Sequence, residues 1–530
     1  MKKTGVFILE IAFVVLSAFL SSLAFPGPFS ESGISFIAFF SLVPVFYIID
    51  RTSWAKVPFL GAIYGFVFYL FYNYWLKTFH ELAIFIAPSL EALQYLILFP
   101  ILKSATSLFK RRGYLVQSIF YVSYLYLTQQ GFLAYPYGNL SAAVFTYTRF
   151  IQSVDIFGIW GISLLMVLPQ TLVAEILKKK RLREYLADIY VIFILFSMNY
   201  MYGIVSYDYY STKNYDDSLR IATVQHSADT WKGGYSTYKA NFETLCELSE
   251  EAMKENPDVV AWSETAFVPS VSWHKAYPSS VYTSALCDRF VEFGKNLGVP
   301  LITGNPEGVI NDETLPPFLE NGDWNWKTYN TVILFSDGDI KGTYRKQHLV
   351  PFTEYFPFED LMPKTTEFLR SHDFKWWETG EEATVFTLGD VNFSTPICFE
   401  DTFGYLSAEF VKNGADFLLN VSNDVWSGSV PAEVQHMQLA VFRALENRRS
   451  LLRSTNSGIT CLVTPSGDIV DPLEPFIKTW HIYEVPIDTE EPLTFYTRHV
   501  DVLPKTLCML SLGLFLFGLY KRHKSKKWVY

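Results

Sequence analysis

The chain has 530 residues; half are apolar, 17% are aromatic and 18% are charged, and the formal net charge is −10. This composition is too apolar for an ordinary soluble enzyme and too charged for a pure bundle of membrane helices. The length allows two or three domains, and the basic clusters are short and flank apolar runs, which argues against a nucleic-acid partner.

Eight apolar stretches are candidates for membrane spans, because a spanning helix needs about 20 mainly apolar residues. They cover residues 5–23, 34–50, 57–75, 83–102, 115–133, 157–177, 187–205 and 503–520. We therefore predict four regions along the chain. These are a membrane domain of about seven helices over residues 1–205, a globular domain over 206–502, a final membrane helix over 503–520 and a basic tail over 521–530.

Lysine and arginine are concentrated in every second connection between these spans. The clusters are Lys2-Lys3, Arg51 with Lys56, residues 110–112, residues 178–181 and residues 521–527. Because basic loops remain in the cytoplasm, both termini are predicted to be cytoplasmic. The globular domain then lies in the periplasm, outside the inner membrane of a bacterium with two membranes. A cleaved signal peptide is an alternative for the first stretch, although further spans follow it at once.

An ionisable side chain inside a predicted span is costly and can mark function, and Glu10 and Glu175 are the clearest cases. Both lie close to a predicted cytoplasmic end. We therefore expect them to snorkel or to pair with a nearby lysine, with a functional role as the alternative.

Short apolar runs alternate with helical stretches between residues 206 and 502. The strand-like runs cover residues 219–224, 259–262, 301–304, 332–335, 383–388, 391–397, 417–421 and 459–463. The helical stretches cover residues 238–255, 280–297 and 432–449. This alternation predicts an α/β layered fold.

Three polar residues, Glu264, Lys346 and Cys398, each end a strand-like run of this domain. A thiol at a strand-to-helix turn is exposed at the sheet edge and lies near helix N–H groups, which favour a thiolate and hold an oxyanion. Taken alone, a cysteine after a strand is more often a small buried apolar residue. The ordered set of three suggests one catalytic site.

Six islands around these residues resemble a known family. They are residues 262–264 (Trp-Ser-Glu), 329–331 (Tyr-Asn-Thr), 345–352, 397–400 (Ile-Cys-Phe-Glu), 422–426 (Ser-Asn-Asp-Val-Trp) and 452–460. Together with the apolar flanks, they resemble the bacterial apolipoprotein N-acyltransferases, the membrane-bound branch of the nitrilase (carbon–nitrogen hydrolase) superfamily. The resemblance implies a multi-pass α-helical membrane bundle joined to a nitrilase-like α-β-β-α sandwich.

The resemblance also implies residue roles. Cys398 would be the nucleophile, Glu264 the general base, and Lys346 the oxyanion stabiliser beside a backbone N–H near Phe399. Glu354 would orient Lys346 or help to hold the oxyanion. Glu400 would support the nucleophile turn. Three further residues would bind substrate or shape the pocket wall: Trp231, Asn423 and Trp426.

The implied reaction moves a fatty acyl chain from a membrane phospholipid to the α-amine of the N-terminal S-diacylglyceryl cysteine of an apolipoprotein, through a thioester on Cys398. We expect no metal, no organic cofactor and a monomer. Two other functions remain open: a membrane-anchored amidase that acts on small amides, and a transporter or scaffold with an inactive enzyme domain. Eight spans argue against the first, and the intact residue set argues against the second.

Several residues carry a second interpretation. His348 could serve as the base, but this family uses a glutamate, so we expect a structural role. Trp231 could be an ordinary interface aromatic. Asn423-Asp424 and residues 453–456 could be turn formers, and we expect them to shape the pocket wall rather than to react. A disulfide between Cys246 and Cys287 is possible, although no paired spacing supports it.

An aromatic segment follows the lysine island. It comprises residues 355–358 with Phe368, Phe374, Trp376 and Trp377. We hypothesise that these residues form flexible lids that touch the outer leaflet, where aromatic rings are favoured. Departures from the family pattern occur at Ser263, Thr353, Phe399 and Ser427, and they bear on rate and substrate preference rather than on reaction type.

Overall fold

The computed structural model describes residues 2–78, 81–131, 134–215, 217–278, 280–320, 322–359, 361–370 and 376–527. The chain divides into two compact units. The first comprises Met1–Thr212, Ser429–Phe442 and Thr494–Tyr530, and the second comprises Lys213–Gly428 and Arg443–Leu493.

The helices are α1 (Lys2–Leu23), α2 (Val43–Ile49), α3 (Val57–Tyr72), α4 (Ala83–Leu108), α5 (Gly113–Thr128), α6 (Thr148–Ile151), α7 (Val154–Lys179), α8 (Leu186–Thr212), α9 (Tyr235–Ala252), α10 (Val271–Ala276), α11 (Val281–Asn296), α12 (Pro363–Arg370), α13 (Gly404–Lys412), α14 (Val430–Asn447), α15 (Phe495–Arg498) and α16 (Val502–Lys527). Short 3₁₀ turns, such as Cys398–Thr402, connect some of them.

The strands are β1 (Asp217–Gln225), β2 (Val259–Trp262), β3 (Leu301–Gly304), β4 (Glu307–Ile310), β5 (Trp326–Tyr329), β6 (Thr331–Ser336), β7 (Asp339–Arg345), β8 (Phe386–Leu388), β9 (Val391–Ser394), β10 (Phe417–Ser422), β11 (Ser450–Thr455), β12 (Cys461–Val463), β13 (Ile469–Val470) and β14 (Thr479–Ile487). All of them belong to the second unit.

The first unit is helical, and among the described residues five helices are long and apolar enough to cross a membrane. They are Gly5–Leu23, Ala83–Leu108, Val154–Lys179, Leu182–Thr212 and Val502–Lys524. The other three predicted spans are also helical but shorter: Ser35–Ile49, Val57–Tyr72 and α5. The last helix before the sheets continues to Thr212 rather than ending at residue 205, and α16 continues through the basic residues to Lys527.

Glycines allow α3 and α4 to approach closely. A Cβ on Gly61 would lie 2.1 Å from the carbonyl oxygen of Tyr95, and one on Gly65 would lie 2.9 Å from the Cα of Ala92. Small residues at such crossings are typical of helices that pack in a membrane, because close backbone contact replaces the hydrophobic driving force.

Charged side chains of the first unit pair with one another near the basic connections. Lys56 lies 3.2 Å from Glu10, and Lys178 lies 2.9 Å from Glu175 and also contacts Asp50. Of the two expectations for Glu10 and Glu175, snorkelling or pairing with a lysine, the structure shows pairing for both. The contact between Asp50 and Lys178 also brings two of the basic connections together.

The segment Ser429–Phe442 belongs to the first unit, although the sequence assigns it to the globular domain. Its Gln435 side chain accepts a hydrogen bond from the indole of Trp75 at 3.0 Å and donates to the carbonyl oxygens of Pro26 and Tyr72 at 2.7 and 3.0 Å. One buried amide thus satisfies three groups of the helical unit, which explains why this stretch packs there.

The second unit contains two six-stranded sheets with the strand orders β14-β1-β2-β3-β6-β7 and β13-β12-β11-β10-β9-β8. Strands β1, β2 and β3 are parallel, as are β9, β10 and β11. The helices α9 and α11 bury Phe242, Leu286 and Phe290 against Trp262 and Phe335 of the first sheet. This arrangement confirms the predicted α/β layered fold.

The carboxyl ends of the parallel strands meet at one edge of the second unit, because the backbone N–H of Ser227, after β1, bonds the carbonyl of Asn456, after β11. Ligands of open α/β sheets bind at such edges. Cys246 and Cys287 are both free thiols, so the possible disulfide between them is not formed.

Candidate active site

Each of the three predicted catalytic residues follows a strand that ends at this edge. Glu264 comes two residues after β2, Cys398 comes four residues after β9, and Lys346 directly follows β7. Strand β7 runs in the same direction as β3, since both are antiparallel to β6. The strand topology therefore brings Glu264, Lys346 and Cys398, which are far apart in sequence, to the same edge of the second unit.

Cys398 begins a 3₁₀ turn with a φ of 50°, the left-handed region that non-glycine residues rarely adopt. Such strain persists only where surrounding contacts impose it and is frequent at active sites. Here the Asn420 amide donates to the carbonyl oxygens of Pro396 and Cys398 at 3.2 and 3.1 Å, which holds the turn. The thiol is buried rather than exposed at the sheet edge as the sequence predicts. Burial, followed by the carboxylate of Glu264, raises the pKa of the Cys398 thiol well above its usual value, against the predicted thiolate, while Lys346 lowers it.

The Glu264 carboxylate is buried and held by both oxygens. Its Oε1 accepts from the Asn330 amide at 2.7 Å and from Lys346 Nζ at 3.3 Å, and its Oε2 accepts from the backbone N–H of Asn423 at 3.0 Å. Burial raises the pKa of Glu264, while the Lys346 ammonium lowers it and Glu354 raises it further. A fixed carboxylate with a raised pKa suits a general base.

Lys346 is 1% exposed, and its ammonium is shared between two carboxylates. The Nζ atom lies 2.8 Å from Glu354 Oε1 and 3.3 Å from Glu264 Oε1. Burial opposes the charge, but these two carboxylates raise the pKa of Lys346 well above its usual value. A charged ammonium that lowers the pKa of the Cys398 thiol can also stabilise an oxyanion formed there.

Glu354 is fixed by its neighbours on both oxygens. Its Oε1 accepts from Lys346 and, at 3.2 Å, from Asn330, and its Oε2 accepts from the backbone N–H of Val350 at 2.7 Å. The side chain therefore lies where it can orient the lysine.

Glu400 connects the nucleophile turn to the loop that carries Lys346. Its carboxylate accepts from the backbone N–H groups of Ile397 and Gln347, both at 2.7 Å, and of His348 at 3.0 Å. The Tyr344 hydroxyl lies 2.9 Å from both carboxylate oxygens. The hydrogen-bond donors lower the pKa of Glu400, but burial outweighs them and raises it to about 7.

The residues predicted to bind substrate differ in exposure. Trp231 and Trp426 are each 39% exposed, whereas Asn423 is buried against Glu264. Trp231 makes an edge contact with Trp377, with 5.8 Å between the ring centroids. The Phe399 ring is buried and packs on Phe403 at 4.9 Å.

His348 is oriented by the aromatic residues that follow Cys398. Its Nδ1 lies 3.0 Å from the Tyr405 hydroxyl, and its ring packs on Phe403 with 3.8 Å between centroids. Burial, followed by the nearby Lys346, lowers the pKa of His348 to about 4. These contacts agree with a structural role for a neutral imidazole.

Asn330 and Gly304 had no predicted role of their own, and Asn456 was expected only to form a turn or to shape the pocket wall. Asn330 donates to both Glu264 and Glu354, and its only signal in the sequence is its place in the Tyr-Asn-Thr island. Asn456 joins Asn423 to the loop after β1. Gly304 lies behind the base, since a Cβ there would be 2.2 Å from the backbone nitrogen of Thr265.

The aromatic segment after the lysine island forms a small cluster of its own. Phe356 lies 6.2 Å from Phe358 and 6.3 Å from Trp376 between ring centroids. Phe374 and the side chain of Phe368 lie outside the described residues. The contact of this segment with lipid remains a prediction.

A buried thiol, a fixed carboxylate and an ammonium held by two carboxylates can together perform acyl transfer through sulfur. The carboxylate can take the thiol proton, and the ammonium can stabilise the tetrahedral oxyanion. This chemistry requires no metal or organic group.

Two family models match the chain: carbon–nitrogen hydrolase over residues 220–493, and apolipoprotein N-acyltransferase N-terminal domain over residues 17–172. The chain is 36% identical to apolipoprotein N-acyltransferase 1 of Treponema denticola over 96% of its own length and 98% of that protein. It is 33% identical to apolipoprotein N-acyltransferase 1 of Treponema pallidum, over 96% of this chain and 95% of that protein. A solved amidase from Nesterenkonia sp. is 18% identical, over 51% of this chain and 91% of that chain, with a TM-score of 0.36.

Proposed function

Because the chain belongs to the apolipoprotein N-acyltransferase family and is a membrane-bound N-acyltransferase, we propose that Glu264, Lys346 and Cys398 carry its reaction. The acyl donor is a membrane phospholipid. The acceptor is the α-amine of the S-diacylglyceryl cysteine at the start of an apolipoprotein. The reaction has two steps, which share a thioester on Cys398.

In the first step, Glu264 accepts the thiol proton while the sulfur of Cys398 attacks the ester carbonyl carbon of the phospholipid. The new C–S bond leaves a negative charge on the carbonyl oxygen, which Lys346 and a backbone N–H near Phe399 stabilise. The ester C–O bond then breaks. The lysophospholipid takes the proton from Glu264 and leaves as an alcohol.

In the second step, the neutral α-amine of the acceptor attacks the thioester carbonyl carbon. Glu264 accepts a proton from the amine, and Lys346 again stabilises the oxyanion. When the C–S bond breaks, the sulfur of Cys398 takes that proton. The products are an amide on the lipoprotein and the free thiol of the enzyme.

The observation that carries this proposal is the placement of the Lys346 ammonium 3.3 Å from Glu264, with both side chains and Cys398 buried at the same strand ends. The base and the oxyanion stabiliser thus share one buried environment with the nucleophile. Electrostatic stabilisation is strongest where water is excluded.

The orientation in the membrane is proposed from the charges of the connections. The basic clusters alternate along the chain, and the contact between Lys178 and Asp50 joins two of them. Both termini then lie in the cytoplasm, and the second unit lies in the periplasm. We expect a monomer in the inner membrane, where both lipid-anchored substrates arrive by lateral diffusion.

Mass spectrometry of the purified chain, incubated with a phospholipid of defined acyl length, tests the nucleophile. We expect one acyl adduct on the Cys398 peptide, which is discharged when a diacylglyceryl lipopeptide is added. Cys398→Ala should form no adduct and Cys398→Ser only a trace, whereas the matched control Cys246→Ala should behave like wild type.

An adduct on another cysteine, or full acyl transfer by Cys398→Ala, would overturn the proposed mechanism. Hydrolysis of a soluble amide without any transfer from phospholipid would instead favour the amidase alternative.

A further inference from the structure

Asn456 is the first residue after β11, it is fully buried, and its polar groups have partners. Its backbone N–H donates to the carbonyl of Ser422 at 2.9 Å, and its carbonyl accepts from the N–H of Ser227 at 2.9 Å. Its side chain accepts from the N–H of Ala228 at 3.1 Å and donates to the carbonyl of Ala228 at 2.7 Å. The side-chain amide therefore bonds both backbone polar groups of Ala228, as a neighbouring strand would, and fixes the loop after β1.

The same amide also reaches the residue that holds the base. Asn456 Nδ2 donates to Asn423 Oδ1 at 2.9 Å, which leaves Asn423 Nδ2 to donate to the hydroxyls of Thr230 and Thr265 at 3.3 and 3.4 Å. In this orientation, the backbone N–H of Asn423 points to Glu264 Oε2. Two asparagines thus connect the loop after β1 to the carboxylate of the base.

The loop fixed in this way carries Trp231. Its backbone N–H bonds Asp229 at 3.0 Å, and Thr230 receives the bond from Asn423. Because Trp231 is 39% exposed, its direction depends on the backbone beneath it as well as on the edge contact of its ring with Trp377. A shift of residues 227–230 would therefore move this tryptophan.

We propose that Asn456 is a positioning residue for acyl transfer, which orients Glu264 through Asn423 and at the same time holds the loop of Trp231. This inference rests on the proposed role of Glu264 as the base. It differs from a purely structural role because the loss of Asn456 would free the Asn423 side chain and so displace the backbone N–H that donates to Glu264. Removing a donor to a carboxylate raises its pKa, since the bond favours the charged form.

The test uses the full-length protein in detergent with phospholipid, and it follows formation of the Cys398 adduct as a function of pH. Asn456→Ala and Asn456→Asp should lower the rate of adduct formation by roughly 10- to 100-fold, since small misplacements of a catalytic group cost that much. Both should also move the acid limb of the pH–rate profile to higher pH. Thr230→Val keeps the volume of the side chain and should show a smaller change in the same direction.

Asn325 provides the matched control. It is a buried asparagine that fixes another loop in the same manner: its amide donates to the carbonyls of Asp312 and Leu315 at 2.7 and 3.1 Å and accepts from the N–H of Asp312 at 3.1 Å. Asn325→Ala should lower the melting temperature without moving the acid limb.

The inference would be overturned, and the proposed function left intact, if Asn456→Ala, Asn456→Asp and Thr230→Val kept the wild-type pH profile. In that case their activity would fall only in proportion to the amount of folded protein. A wild-type protein that forms no adduct would overturn the proposed function and this inference with it.

Discussion

Lys346 and Glu264 form a buried ion pair, with 3.3 Å between Nζ and Oε1. Glu354 adds a second carboxylate at 2.8 Å from the same ammonium. Two carboxylates and one ammonium leave a net negative charge when all three are ionised, and the Asn330 amide donates to both carboxylates. The charge of the base and the charge of the oxyanion stabiliser therefore depend on each other.

Replacement of Lys346 by Met should abolish adduct formation and lower the free energy of unfolding by about 3–5 kcal/mol, because two buried carboxylates would face each other without a cation. Thermal melting and adduct formation on the purified protein measure the two effects. The control is Lys341→Met, on the strand that precedes Lys346; its ammonium is half exposed and lies 3.7 Å from Asp337. That surface pair should contribute less than about 1 kcal/mol. A Lys346→Met protein as stable as this control would contradict the expected role of the ion pair.

The rate of adduct formation should fall as the pH falls, because Glu264 can accept the thiol proton only when it is ionised. Burial raises the pKa of this carboxyl. The midpoint of the acid limb should therefore lie above about 4.3, the ordinary value for glutamate. The measurement is the single-turnover rate across the pH range in which the protein stays folded, and Glu264→Gln should be inactive throughout. An acid limb at the ordinary carboxyl pKa would count against Glu264 as the base.

Gly304→Ala should lower kcat/KM by roughly 100-fold, because a 1 Å displacement of a catalytic group has this effect. The new Cβ would lie 2.2 Å from the backbone nitrogen of Thr265 and 2.7 Å from the Cα of Glu264, so the backbone of the base must move. The matched control is Gly342→Ala, where the new Cβ would meet only the Phe386 ring, at 3.0 Å. Equal activity of the two variants in the acyl-transfer assay would refute this account.

Tyr344→Phe should lower the free energy of unfolding by about 1–3 kcal/mol, because a buried carboxylate loses a donor. It should also slow adduct formation, since Glu400 holds the backbone on both sides of the site. Tyr405→Phe is the control, because that hydroxyl bonds His348 at the exposed side. Melting temperatures and adduct rates that match between the two variants would show that the Tyr344 hydroxyl does not support the site.

Part of the second unit follows directly from the hydrophobic pattern. Strands β2 and β3 have their predicted bounds, since both are short, apolar and buried on both faces. The pattern gave no bounds for β7, the strand that ends just before Lys346, because its sequence is polar and it lies at the edge of its sheet. It also missed β11, which is buried throughout although it contains Arg453. The guanidinium of that arginine bonds Asp401, a partner 52 positions away in the chain.

The sequence by itself determined the division into membrane helices and an α/β domain, and it pointed to Glu264, Lys346 and Cys398, because apolar periodicity and polar residues at strand ends are local properties. Only the tertiary structure decided that one ammonium serves two carboxylates, that Asn330 bridges them, and that residues 429–442 pack with the membrane helices. These contacts join residues far apart in the chain, and hydrogen-bond geometry between such residues is set by strand order and register rather than by local composition.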